Sequence, residues 1–174
     1  MNTKKQEELI QSYLAQIGDD TKPLYQDLIQ FLCELGYHPK KEGSSISFKH
    51  DLHNKQMAKM GAKISKKTGS SPFFSLRFSA CRGYSQRITD IVSAYMNKYP
   101  ARAARCTSDG CNYCSGASDT HVYTHTFPNG EFKSHCGAYA VEIPDITVDD
   151  MAEIKRLIQE EHEYLLKHEA GIAI

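Results

Sequence analysis

The sequence predicts an α+β fold: an antiparallel sheet meander with helices on one face, plus a Cys-rich loop and β-hairpin that form a metal module. Residues 4–35 carry apolar side chains at the three- and four-residue spacing of amphipathic helices. Residues 46–80 alternate apolar and polar side chains, as half-buried strands do. The last third combines clustered cysteines with Asn129-Gly130, a strong signal for a hairpin turn.

Two amphipathic helices are predicted at the beginning of the chain. The first covers residues 4–17, and its apolar face consists of Leu9, Ile10, Tyr13, Leu14 and Ile17. In the second helix, Thr21 is predicted to cap the first turn, Pro23 stands within that turn and Gly36 ends the helix. Its apolar face consists of Leu24, Leu28, Ile29, Leu32 and Leu35.

Three short strands and a third helix follow. The alternating apolar residues are Ile46 and Phe48, then Ala58, Met60, Ala62 and Ile64, then Phe74, Leu76, Phe78 and Ala80. Gly-, Ser- and Lys-containing turns at 51–56 and 65–71 separate these runs, which predicts an antiparallel meander. Helical spacing returns over residues 83–98, and Pro100 closes that element.

A hairpin and a final helix complete the predicted order, which is ααβββα, metal loop, ββα. The hairpin strands are predicted at 120–127 and 131–141, on either side of Pro128-Asn129-Gly130. Thr147 and Asp150 predict a capped helix start. The buried side of that helix consists of Met151, Ile154, Leu157, Ile158 and Leu165.

Length and composition predict a single domain over residues 1–174. Its parts are an ααβββα part at 1–100, the Cys-rich loop and hairpin at 101–146, and a C-terminal helix at 147–174 that packs back. The first residues lack the apolar run of a signal peptide, and no segment is apolar enough to span a membrane. We therefore expect a cytoplasmic protein without a membrane partner, whose thiols stay reduced.

Charge is unevenly distributed along a chain whose formal net charge is zero. Lys and Arg minus Asp and Glu give −3 for residues 1–39, +11 for 40–105 and −8 for 106–174. A basic segment can form an anion-binding face, or it can pack beside acidic segments of the same chain. Because the total is neutral, we rank nucleic acid behind an unidentified ligand or protein as the partner.

Four cysteines in the second half are the most informative motif. Cys106, Cys111 and Cys114 lie within nine residues of a Gly-, Asp- and Ser-rich loop, and Cys136 follows on the second hairpin strand. A Cys-x-x-Cys turn readily supplies two ligands to a tetrahedral ion, and zinc takes four such thiolates in structural sites. The sequence therefore predicts a structural zinc site at these four residues.

The pairing register of the hairpin determines which side chains lie on the same face as Cys136. A two-residue type I′ turn at Asn129-Gly130 places Tyr123 opposite Cys136, with His121 and His125 on the same face and His135 on the other. His121 and His125 are then the substitutes if one cysteine is not a ligand. Two readings besides zinc remain open: free thiols, and an iron–sulfur cluster, because Cys-x4-Cys-x2-Cys with a distant cysteine is similar to plant-type ferredoxins.

Catalytic motifs are weak in this sequence, so an enzyme is not the leading expectation. Cys81 stands beside Arg82 and before a helix, a setting that lowers a thiol pKa and would suit a nucleophile or redox sensor. Its alternative interpretation is a buried cysteine at a strand end, as Cys33 beside a helix face is interpreted as a small buried apolar residue. No phosphate-binding Gly-rich loop and no G-x-S-x-G motif occurs.

Two segments resemble proteins without an assigned function. The short strands that end in FFSLRFSACRGYSQRITDIVSAYM resemble YdhG-like α/β domains over residues 20–100. The tail, with CNYCSG, CGAYAVEIPDIT and IKRLIQEEHEYLL, is similar to uncharacterised bacterial proteins with the same cysteine cluster. The resemblance implies an α/β fold but no catalytic residue, and YdhG-like domains lack the cysteine module.

The leading functional expectation is a zinc-stabilised, non-enzymatic binding or regulatory module whose ligand is unknown. The first alternative is a small enzyme or thiol redox sensor that uses Cys81. The second is a nucleic-acid-binding module on a basic sheet face formed by Lys59, Lys63 and Arg77, which alternation places opposite the apolar strand residues.

Overall fold

The computed structural model describes residues 2–65, 69–106 and 120–170. Over these residues the protein is α+β, with four α-helices, a five-stranded antiparallel sheet and a two-stranded sheet. The helices are α1 (Lys4–Leu14), α2 (Lys22–Glu34), α3 (Gln86–Lys98) and α4 (Met151–Ala170). The strands are β1 (Tyr37–Glu42), β2 (Ser45–His50), β3 (Gln56–Ser65), β4 (Gly69–Leu76), β5 (Val122–Thr126), β6 (Phe132–Cys136) and β7 (Val141–Ile143). The predicted α+β class is confirmed.

The larger sheet has the strand order β1-β2-β3-β4-β7. Strands β2, β3 and β4 form the predicted antiparallel meander, with Phe48 opposite Ala58 and Met60 opposite Phe74. Strand β1 is not predicted from the sequence, because Tyr-His-Pro-Lys-Lys-Glu does not alternate. Its proline is tolerated because β1 is an edge strand of the sheet, where one side of the backbone has no partner strand.

The chain divides into two compact units. The first unit comprises Met1–Leu76 and Ile143–Arg156. Lys155, in the first turns of α4, contacts α2 in this unit, with its ammonium 2.7 Å from the Asp27 carboxylate. The largest fully buried side chains of the first unit are Leu28, Leu32, Tyr37, Phe48, Met57, Met60, Phe74 and Leu76.

The second unit comprises Arg77–Glu142 and Leu157–Ile174. Its core centres on Tyr123 of β5, whose ring centroid lies 5.1 Å from that of Phe78 and 5.9 Å from that of Tyr95. Other buried apolar residues of this unit are Ile88, Val92, Met96, Val122, Leu157 and Leu165. The single-domain organisation of residues 1–174, with its three parts, stays a prediction.

Some of the predicted helix-capping interactions are present in the structure. Before α4, the backbone N–H and the hydroxyl of Thr147 both donate to Asp150, at 2.8 and 3.0 Å, which confirms the predicted cap. Gly36 follows α2 with φ of 85°, as predicted. Thr21 is the N-cap residue of α2, as predicted, but its side chain makes no capping hydrogen bond and its hydroxyl donates instead to the Gly18 carbonyl.

The hairpin turn differs from the predicted type I′ turn. Gly130 N–H donates to the Phe127 carbonyl at 2.9 Å, and Phe127 N–H donates to the Glu131 carbonyl at 2.8 Å. The loop therefore has three residues, with Pro128 in its second turn position and Gly130 at φ 83°. The physical reason is Pro128, whose fixed φ suits the second position of a type I turn.

This turn moves the hairpin register by one residue. Cys136 pairs with Val122, and Tyr123 pairs with His135. Since opposite residues share a face, Tyr123, His125 and His135 lie on one face and Cys136 lies on the other. The predicted placement of Cys136 with Tyr123 and His125 is wrong. The second strand also ends at Cys136, so the predicted strand 131–141 divides into β6 and β7.

Candidate functional site

The four predicted metal ligands are only partly within the described residues. Cys106 and Cys136 are half-buried thiols, whereas Cys111 and Cys114 lie outside the described ranges. Among the residues that the structure describes, no group of three or more His, Cys, Asp or Glu side chains is arranged to hold a metal ion. The metal site therefore stays a prediction.

Strand β6 has a neighbour on each side. Val122 of β5 pairs with Cys136, and on the other side Ala103 forms a bridge with His135. Ala104 N–H donates to the Ser134 carbonyl at 2.9 Å. Cys106 follows Ala104 by two residues, and residue 120 precedes Val122 by two. Both described ends of the segment 107–119 therefore lie beside β6, the strand that carries Cys136.

The structure places His121 and His125, the two predicted substitute ligands, against aromatic side chains. His125 lies on the face opposite Cys136, and its ring centroid is 4.6 Å from that of Phe127. His121 is buried, with its ring centroid 6.4 Å from that of Tyr164. A side chain at Gly137 would overlap the His121 carbonyl oxygen, so the backbone approaches closely here. The register removes the reason for expecting His125 to replace a cysteine.

Cys81 is buried, with 1% of its surface exposed. Its thiol donates to the Leu157 carbonyl oxygen at 3.2 Å. A carbonyl acceptor stabilises the thiol and not the thiolate, since the thiolate has no proton to donate. The neighbouring Arg82 guanidinium donates to the carbonyls of Ser79 and Cys81, at 2.9 and 2.7 Å. Helix α3 begins with Ser85 as its N-cap, four residues after Cys81. These contacts favour the interpretation of Cys81 as a structural residue.

Arg77 does not lie on an exposed basic face, so this part of the sequence prediction is wrong. Strand β4 ends at Leu76, and the Arg77 guanidinium lies 2.7 Å from Glu161 of α4, which is fully buried. Glu161 also accepts from the Ser79 hydroxyl at 3.3 Å and the Ala80 N–H at 2.7 Å. Arg77, Ser79 and Ala80 therefore bind this carboxylate after the end of strand β4.

The other two residues of the predicted basic face are also engaged within the first unit. The Lys59 ammonium lies 2.9 Å from the Glu42 carboxylate. A hydrogen bond from Lys59 is the main reason that the pKa of Glu42 lies below its usual value. The Lys63 ammonium lies over the Phe73 ring, 5.8 Å from its centroid. Lys59 and Lys63 thus have partners in the first unit, and nucleic-acid binding on this sheet face stays a prediction.

A cluster of cations and tyrosines lies on the second unit, and we name it the cation–tyrosine cluster: Lys98, Tyr99, Arg102 and Tyr139. The Arg102 guanidinium lies 4.1 Å from the Tyr99 ring centroid and 4.5 Å from that of Tyr139. The Lys98 ammonium lies 5.3 Å from the Tyr99 centroid. Local patterns in the sequence do not predict this cluster, because Tyr139 is far from the other three residues in the chain. The basic and aromatic residues at 98–102 were its only local signal.

Arg102 of this cluster also lies near two buried side chains, His135 and Tyr95. The pKa of His135 lies below its usual value, first because the imidazole is buried, then because Lys133 and Arg102 are nearby. The His135 ring centroid is 5.5 Å from that of Tyr95, and Arg102 lies 5.7 Å from the same Tyr95 ring. Burial raises the pKa of Tyr95. Burial and the two nearby cations therefore favour the neutral form of His135.

The chain matches no protein-family model, and no curated protein or solved structure is significantly similar to it. The resemblance to YdhG-like domains accordingly stays a prediction. None of the described helices is both long enough and apolar enough to span a membrane.

Proposed function

We infer that this protein is a cytoplasmic, non-enzymatic binding or regulatory module that is stabilised by zinc at Cys106, Cys111, Cys114 and Cys136. The observation that supports this best is that both described ends of the segment 107–119 lie beside β6. The segment that holds Cys111 and Cys114 therefore starts and finishes near the strand that holds Cys136. Thirteen residues are ample to return to that strand.

The donor chemistry of four cysteines determines what such a zinc ion does. Four thiolates at about 2.3 Å complete a tetrahedral shell, so no open position is left for water or substrate. The ion stabilises the loop, and it does not activate a nucleophile. Residues 107–119 contain no Leu, Ile, Val, Met or Phe, so this segment has little apolar surface with which to stabilise itself. A [2Fe–2S] cluster is the alternative cofactor for the same four ligands.

Elemental analysis of the full chain, purified without added metal, tests this proposal. We expect about one zinc per chain. We expect Cys136→Ser to lose most of the metal and to lower the Tm. Cys33→Ser is the matched control: Cys33 is a half-buried thiol of the first unit, to which Asn2 donates at 3.4 Å. It should retain the metal.

Three outcomes overturn the zinc assignment. The first is a purified chain that holds no metal. Iron with visible absorption would assign the cysteines to an iron–sulfur cluster. Full retention of metal and Tm in both Cys136→Ser and Cys106→Ser would show that these thiols bind no ion.

A further inference from the structure

Within the described residues, the cation–tyrosine cluster presents two cations without a carboxylate partner beside one exposed ring, Tyr139, and one half-buried ring, Tyr99. Among the described residues, neither Lys98 nor Arg102 has a carboxylate partner, and their contacts are with tyrosine side chains. Other cations of the protein are paired at short distance, as in Lys22–Asp19, Lys59–Glu42, Lys155–Asp27 and Arg77–Glu161. A guanidinium that contacts rings through its face keeps edge N–H groups for an anion.

The ring that completes the cluster is held in place by the core. Tyr139 is 44% exposed, yet its backbone carbonyl accepts a hydrogen bond of 2.9 Å from the hydroxyl of the fully buried Tyr123. In the same turn, the Gly137 carbonyl accepts from the Ser79 hydroxyl at 3.3 Å. A Cβ at Gly137 would overlap His121 and Ser79 atoms, so this turn has no room to shift inward. The exposed ring is therefore presented on a rigid support.

The segment that carries Lys98 and Arg102 has a net positive charge. Residues 82–105 contain five Arg or Lys and one Asp. The neutral total of the chain does not oppose an anionic ligand here, because electrostatic attraction acts over about 10 Å and senses the nearest charges. The partner chemistry that matches is a phosphate near Arg102 and Lys98 combined with a flat ring that stacks on Tyr139.

We propose that the cation–tyrosine cluster binds single-stranded nucleic acid, with Arg102 and Lys98 on phosphates and Tyr139 stacked on a base. This names the ligand class of the binding module and rests on that proposed function. Single strands expose base faces for stacking, whereas a duplex hides them, and an acidic protein segment offers carboxylates without the flat rings. The site does not require base-edge readout, so we expect tolerance of sequence.

Fluorescence anisotropy of the metal-loaded full chain with labelled oligo-dT and oligo-rU of about 12 nucleotides tests the proposal. We expect binding that weakens from about 50 mM to about 200 mM salt. Arg102→Gln should reduce the magnitude of the salt slope by about 0.7 because one phosphate contact is lost. Tyr139→Ala should weaken binding by about fivefold or more, while Tyr139→Phe keeps the ring and the affinity.

A matched control separates the cluster from general charge. Lys5→Gln removes one positive charge from an exposed position of α1 in the first unit, and it should leave oligonucleotide binding unchanged. Metal content is measured for every variant, and Arg102→Gln and Tyr139→Ala should retain it. If the purified chain holds no metal but still binds oligonucleotides, the zinc assignment fails and this inference stands.

Several results would overturn the inference itself. They are absence of oligonucleotide binding by metal-loaded protein, equal affinity of Arg102→Gln, Tyr139→Ala and the unaltered chain, and equal competition by polyglutamate or by a duplex of the same length. Each of them leaves the zinc assignment intact, because metal content is determined separately.

Discussion

At the scale of single residues, cysteine reactivity depends on how readily the thiolate forms and on whether a reagent reaches the sulfur. Cys81 is enclosed and donates to a carbonyl, whereas Cys33 is half-buried. Burial raises the pKa of the Cys33 thiol, although the hydrogen bond from Asn2 partly offsets this. Both thiols are therefore less reactive than an exposed cysteine, for different reasons.

We predict that iodoacetamide modifies Cys81 more slowly than Cys33 at neutral pH, because the reagent reaches Cys81 only when the second unit opens. Because the pKa of Cys33 is raised, its modification should accelerate as the pH rises above neutrality. Peptide mapping by mass spectrometry measures both rates, and urea-unfolded protein provides the control in which the two converge. Rapid modification of Cys81 in folded protein would support the redox-sensor alternative.

At the scale of elements, the hairpin shows how two turn signals compete in one sequence. Asn129-Gly130 favours a two-residue type I′ turn, and Pro128 favours a type I turn followed by a left-handed glycine. The structure has the second arrangement, in which Gly130 has φ of 83° and Asn129 does not have positive φ. The shift of one residue moves His135 to the face of Tyr123 and removes His125 from the face of Cys136.

We predict that Gly130→Ala costs about 1 kcal/mol or more of unfolding free energy, because an alanine is strained at positive φ. Asn129→Ala should cost clearly less, since it removes only an exposed hydrogen bond to the Glu131 N–H. Urea unfolding followed by circular dichroism measures both. A type I′ turn would place both residues at positive φ, so equal losses in the two variants would contradict the register described above.

At the scale of the whole chain, residues far apart in sequence are joined inside the second unit. Arg77 and Glu161 are 84 positions apart, and their ion pair is buried with side-chain exposures of 9% and 0%. The carboxylate has three donors, which compensates the loss of hydration. This cluster connects the segment after β4 to α4.

Glu161→Gln is expected to destabilise the protein by about 3–5 kcal/mol, because it leaves the Arg77 guanidinium buried without a carboxylate. Glu163→Gln is the matched control, since Glu163 is exposed on the same helix and accepts from Gln159. Urea unfolding by circular dichroism, with tyrosine fluorescence as a second probe in a chain without tryptophan, measures the change. Similar losses in the two variants would refute the role given to this pair.

Local patterns were sufficient for much of the fold. Apolar spacing predicted all four helices, alternation predicted the meander from β2 to β4, and Thr147 with Asp150 predicted the start of the last helix. These features depend on neighbours within a few residues, so the sequence contains their causes directly. Strand β1 is not predicted from the sequence, because its residues Tyr-His-Pro-Lys-Lys-Glu do not alternate between apolar and polar side chains.

The candidate sites depended more on distant contacts. Alternation placed Arg77 on an exposed face, because no local pattern shows that Glu161 will accept from it. Likewise, nothing near Arg102 indicates that Tyr139 completes the cluster, since that ring arrives through a turn held by Tyr123 and Ser79. The cysteine spacing, in contrast, is a local signal, and it supports the metal proposal without tertiary information.

The amino-acid order alone therefore specified the class of fold, most helix and strand positions and the four thiols proposed for zinc, because each follows from short-range spacing. The tertiary structure determines which charged side chains are buried and which face of the hairpin carries each side chain. It also places the Arg102 guanidinium against the exposed ring of Tyr139. The reason is physical: burial and ion pairing depend on three-dimensional neighbours, and a single turn residue can exchange the two faces of a strand.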